Sequence, residues 1–178
     1  MEEEDELIPQ PDIRGLLDLT NRAWVNLDPV IWTMAKSIVV LDLSYNRLHA
    51  IPPEIGELQL LRELRASFNI ITHVPSEIGK LKRLRKLILN GNRIASLPPE
   101  VGRLEMLEEL VVSENCLEEI PHTIATMAML RVLKLQNNLL RLIPYELVDV
   151  VTLEELDFSG NANLKMVPKL WQGDTDSV

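Results

Sequence analysis

The chain has 178 residues, 46% of them hydrophobic, enough for one continuous core without disulfide or metal staples. With 18 Lys and Arg against 27 Asp and Glu, the formal charge is −9 and the pI about 4.9; nucleic-acid affinity rests on cations that neutralise phosphates, so DNA and RNA are excluded as expected partners. A single cysteine, Cys116, excludes an internal disulfide and a Cys-rich metal site, and sets the expectation of a reducing, cytoplasmic location.

Residues 1–12 open with Met1-Glu2-Glu3-Glu4-Asp5-Glu6, acidic where a secretory leader would be basic and then apolar, and are expected to form a solvated tail. No Asn-x-Ser/Thr acceptor occurs. Charges and prolines interrupt each Leu-rich stretch before it reaches the roughly 18 to 20 residues of a bilayer span, so no membrane span is expected.

Residues 13–37 resemble a worn copy of the unit that repeats from residue 38 onward. Leu17-Asp18-Leu19 echoes Leu41-Asp42-Leu43, and Leu27, Pro29 and Ile31 echo a return segment. Trp24 and Trp32 are large enough to cover the end of a core, so this segment is expected to be an N-terminal capping repeat.

From residue 38 to 171 the chain repeats with a period of 23. Leu61, Leu84, Leu107, Leu130 and Leu153 keep that step, as do Asn46, Asn69, Asn92, Asn115, Asn138 and Asn161, and Pro52, Pro75, Pro98, Pro121 and Pro144. The third of six repeats reads Leu84-x-x-Leu87-x-Leu89-x-x-Asn92-x-Ile94-x-x-Leu97-Pro98-x-x-Val101-x-x-Leu104. Its Leu-x-Leu alternation makes a short strand with one face inward. The Asn after the strand can donate to and accept from backbone groups which a bend would leave unpaired. Leu-Pro then blocks a second strand, and apolar residues at i and i+3 suit a single 3₁₀ or helical turn. No unit this small buries its own apolar face, so neighbours stack on a shared core. Six strands give a parallel sheet roughly 25 to 30 Å long. The sixth repeat is one residue longer, which moves its proline to Pro168. The second has Ala66 where others have a large residue, leaving space in the core. Leu170 and Trp171 come next as a thin cap, residues 172–178 as a tail, and the C-terminal edge over 157–171 is expected to be covered by another chain or a continuation of this one.

This pattern resembles the intracellular 23-residue leucine-rich-repeat class, which includes Ras suppressor proteins, Ras-pathway scaffolds, plant Ras-group repeats and Scribble-type polarity proteins. The resemblance implies an α/β repeat fold, a solenoid with a short parallel concave sheet and 3₁₀, helical or extended convex return segments. It also implies a non-enzymatic adaptor or signalling scaffold that binds a protein on its concave face, with a small GTPase or a subunit of a larger assembly as partner. The alternative it leaves open is a targeting or structural domain of a larger multidomain enzyme or assembly, as in some adenylyl cyclases, kinases and deadenylases.

No catalytic constellation stands out. His49, His73 and His122 lack the spacing of ligands, Cys116 has no basic neighbour in sequence, and the seven glycines include no phosphate loop, so neither cofactor nor metal is expected. The outward strand positions read Asp42, Arg65, Ile88, Val111, Lys134 and Asp157; further along come Tyr45, Phe68, Gly91, Glu114, Asn137 and Gly160, then Arg47, Ile70, Arg93, Cys116 and Leu139. The core does not need these positions. Tyr45, Phe68, Ile70, Ile88 and Val111, margined by Arg65, Lys86 and Arg93, make the expected partner-binding patch, an apolar centre with a charged rim. Phe68 has a second reading, folded inward over Ala66. A competing apolar patch comprises Ala128, Met129, Val148 and Val151 on the return segments.

Overall fold

The computed structural model describes residues 8–165. Seven strands form one parallel sheet in chain order: β1 (Leu16–Asp18), β2 (Val40–Asp42), β3 (Glu63–Arg65), β4 (Lys86–Ile88), β5 (Glu109–Val111), β6 (Val132–Lys134) and β7 (Glu155–Asp157). The register aligns the central leucines Leu17, Leu41, Leu64, Leu87, Leu110, Leu133 and Leu156 side by side. The first six of these are fully buried, because alternation turns one side chain per strand into the stack while its neighbours face out.

The expected sheet had six strands. The segment 13–37 adds a seventh, since Leu16-Leu17-Asp18 pairs in register with Val40-Leu41-Asp42 despite its imperfect spacing. Its return is a short helix, α1 (Val30–Thr33), and Trp24 and Trp32 lie half-buried against the core. The Arg22 guanidinium sits over the Trp24 ring, 5.6 Å from its centroid.

Every other described return segment is a 3₁₀ turn: Pro53–Glu57, Ser76–Lys80, Pro99–Arg103, His122–Thr126 and Tyr145–Asp149. Each is preceded by an extended proline that donates no hydrogen bond, and each drives one apolar side chain inward: Ile55, Ile78, Val101, Ile124 and Leu147. The turns stack closely. A Cβ on Gly79 would stand 2.6 Å from the carbonyl oxygen of Glu100 in the next turn.

The asparagines sew the stack together. Asn92 Nδ2 donates to the carbonyls of Leu89 in its own repeat and Ala66 in the preceding one, each at 2.9 Å, and its Oδ1 accepts the N–H of Ile71 at 3.0 Å. Asn69, Asn115, Asn138 and Asn161 repeat this pattern, and Asn46 carries it back to Leu19, Arg22 and Trp24. All six are buried, and each polar atom is matched, so desolvating the amide costs little. The expected capping role of Leu170 and Trp171, the shifted Pro168 and most of the acidic tail lie outside the described residues.

Candidate protein-binding site

Each strand from β2 to β7 hands the chain to a tight turn in which the residue before the ladder asparagine takes a left-handed backbone. The φ values are +59° at Tyr45, +54° at Phe68, +68° at Gly91, +55° at Glu114, +56° at Asn137 and +70° at Gly160. Glycine and asparagine tolerate that conformation; a left-handed backbone costs other L-residues roughly 1 to 2 kcal/mol, and bulky side chains rarely adopt it. Two successive repeats nevertheless place aromatic rings there. Tyr45 is 55% exposed and Phe68 42% exposed, and their rings stack with centroids 4.8 Å apart and planes 19° apart. Phe68 therefore points outward, and the reading in which it folds over Ala66 is not the one adopted. Its ring lies across Gly91, where the missing side chain makes room.

Around this pair the structure gathers part of the expected patch. Ile70 lies in the same turn, half-buried, between the exposed Arg47 and Arg93 of the flanking repeats. Ile88 and Val111 face outward from β4 and β5 but are half-buried rather than free. Arg65 and Lys86 are already engaged within the chain. Arg65 pairs with Glu63 at 2.8 Å and with Asp42 at 3.5 Å, and Lys86 pairs with Glu109 at 2.7 Å. The carboxylate of Glu63 raises the Arg65 pKa and that of Glu109 raises the Lys86 pKa, so both cations are fixed as charged, ion-paired parts of the face.

Similar ladders run one repeat apart along the surface: Lys82 to Glu105, Arg85 to Glu108, Arg131 to Glu154 and Arg141 to Glu118, with Lys134 paired to Glu155. Exposed pairs of this kind contribute only about 0 to 1 kcal/mol each. By contrast Arg47, Arg62, Arg83 and Arg93 make no side-chain ion pair with any described residue.

Sequence reasoning missed Arg62, Arg83 and Arg85. With Met106 they line a shallow depression of about 150 Å³ beside the start of the strands. The signal was present in the distribution of charge: residues 62–103 hold nine Lys and Arg against three Asp and Glu, a local +6 in a chain that is −9 overall. In the competing patch, Val151 is 93% and Met129 48% exposed, Ala128 is exposed and Val148 half-buried. Ala128 and Val151 stand one 23-residue step apart, at equivalent places in the turns leading into β6 and β7, and Met129 follows Ala128.

His49, His73 and His122 are exposed and Cys116 is a half-buried free thiol; among the described residues no three His, Cys, Asp or Glu side chains are placed to hold a metal. No helix among the described residues is long and apolar enough to cross a membrane.

Two family models for the leucine-rich repeat match the chain, over residues 82–140 and 37–58. Among curated proteins none matches at a significant level. Solved structures are similar over most of the chain. A leucine-rich-repeat protein of Leptospira interrogans is 27% identical with a TM-score of 0.63, over 88% of this chain and 54% of its own. The plant peptide hormone receptor RGFR1, solved in complex with RGF2, is 28% identical with a TM-score of 0.64, over 76% of this chain and 24% of its own. The leucine-rich-repeat domain of the type III effector XopL has a TM-score of 0.82 at 22% identity, over 91% of this chain and 57% of its own, a likeness of fold alone. The chain thus spans less than two thirds of the length of each.

Proposed function

We propose, from a chain whose fold is a leucine-rich-repeat solenoid, that it is a non-enzymatic adaptor docking a partner protein on its concave face. Leucine-rich repeats in general mediate protein–protein interaction, and their stacked strands offer an extended surface whose outward positions are free to vary while the core pattern stays the same. The observation that carries the reading to a particular place is the stacked pair Tyr45 and Phe68, exposed and held in a backbone conformation unfavourable to both. Aromatic side chains that serve no core and sit on strained backbone mark a surface kept for contact, because strain persists where the structure or its use demands it. Ile70, Ile88 and Val111 extend the apolar centre, while Arg65, Lys86 and Arg93 supply its charged margin. The free thiol of Cys116 is in keeping with a reducing, cytoplasmic setting.

The test is binding of a partner captured by proximity labelling with the intact chain and then purified. Tyr45→Asn and Phe68→Asn keep a residue type that suits the left-handed turn, as Asn137 does. Lost affinity with retained folding supports the concave site. Wild-type affinity in both variants removes it.

A further inference from the structure

We propose that the segment received on this face is acidic polypeptide: its carboxylates meet the unpaired guanidinium groups of Arg62 and Arg83 at one margin and of Arg47 and Arg93 at the other, while an apolar side chain between them rests against the Tyr45–Phe68 stack. This rests on the concave-face reading and gives the partner a chemistry.

Charge is unevenly distributed along the chain. Residues 62–103 carry half of its 18 cations and only three of its 27 acidic residues. Ion pairing within the chain engages four of these nine and leaves Arg62, Lys80, Arg83, Arg93 and Arg103 without a carboxylate partner among the described residues. Arg65, Lys82, Arg85 and Lys86 spend their charge on Asp42, Glu63, Glu105, Glu108 and Glu109. Arg62 and Arg83, in the depression beside the strand starts, have no carboxylate among the described residues, and neither do Arg47 and Arg93, which flank Ile70 beyond the strand ends. The depression already shows the chemistry it favours, for its third guanidinium, Arg85, holds the Glu108 carboxylate at 2.7 Å.

The same geometry limits the ligand. Asp42, Glu63 and Glu109 stand between the two margins, so a continuous polyanion would meet carboxylates there; residues 104–157 hold eleven Asp and Glu against three Lys and Arg, and a long nucleic acid would overrun the cationic zone onto them. At physiological salt the screening length is about 8 Å, so a partner feels this local zone rather than the net charge. From the strand start to the turn is roughly six residues of extended chain, about 20 Å, which a short segment spans. Carboxylates at its two ends and an apolar residue at its middle match cations at both margins and aromatic rings near one of them.

Three synthetic peptides of about eight residues serve as probes: one with Glu and Asp flanking a central Leu-Phe, its Gln and Asn counterpart, and its Lys counterpart. Each is titrated into the isotope-labelled full chain and followed by amide shifts. The acidic peptide is expected to shift resonances at Tyr45 and Phe68 and at both arginine margins, and to bind at least about fivefold more tightly than the Gln/Asn peptide. Arg62→Gln combined with Arg83→Gln should remove about half of that preference in free energy and Arg47→Gln combined with Arg93→Gln the rest, whereas Arg131→Gln, outside the zone, should leave it. If acidic and Gln/Asn peptides bind alike and both shift Tyr45 and Phe68, the acidic partner is overturned while the concave site stands. If the acidic peptide shifts neither aromatic residue, or does not bind at millimolar concentration, the proposal is overturned, and only capture of a whole partner can then support the concave site.

Discussion

The ring of Phe68 occupies the space that a side chain on Gly91 would need, with its Cδ1 2.6 Å from the position a Cβ there would take. The two residues are equivalent positions of successive repeats, both with positive φ, and the outward aromatic of one depends on the absence of a side chain in the next. Gly91→Ala should therefore both strain the turn and displace the ring. The expected loss exceeds the backbone strain of about 1 to 2 kcal/mol in chemical denaturation, with a shift of the Phe68 ring resonances. In a Phe68→Gly background the same substitution should cost less, because only the backbone strain remains. Equal costs in the two backgrounds would show that the ring does not rest on Gly91.

Tyr45→Asn and Phe68→Asn give up a ring stack worth about 0.5 to 1.5 kcal/mol but relieve a left-handed aromatic of roughly similar cost. Stability is expected to stay within about 1 kcal/mol of wild type. Partner affinity should fall by about 2 kcal/mol, roughly thirtyfold, if the pair anchors the contact. Isothermal titration beside thermal unfolding separates the two effects.

Asn92→Ala and Asn115→Ala each remove an amide that satisfies buried backbone groups of two adjacent repeats. A loss of about 1 to 3 kcal/mol is expected, with binding reduced only in proportion to unfolding. A variant that keeps its unfolding midpoint while losing its partner would contradict a purely structural ladder.

The carboxylate of Asp157 accepts the backbone N–H of Ser159 at 3.0 Å, and this bond holds its pKa below the ordinary carboxylate range. A folded-state pKa depressed in this way contributes stability that is present above about pH 4 and is lost as pH falls through the lower folded value. Carboxyl-carbon shifts recorded from neutral to strongly acid solution should place its midpoint below that of a model peptide. Asp157→Asn, which keeps an acceptor, should reduce the acid sensitivity of stability at this end of the sheet; an unchanged pH profile would count against the bond.

The period of 23 determined, from the sequence by itself, the parallel order of the strands, the inward leucines, the asparagine ladder and the proline-led return turns. Each arises from a local rule, alternation or turn chemistry, repeated until stacking becomes the only way to bury the apolar face. The outward positions obey no such rule, since solvent accepts almost any residue there, and so the candidate site was legible as residue names but not as an arrangement. Only the tertiary structure decided that Tyr45 and Phe68 each take a left-handed backbone in successive turns and stack outward, that Arg65 and Lys86 are already paired, and that Arg62 and Arg83 converge beside Arg85. It also recruited Leu16–Asp18 into the sheet despite a worn pattern, because an exposed parallel edge gains backbone hydrogen bonds and core cover from any strand able to match its register.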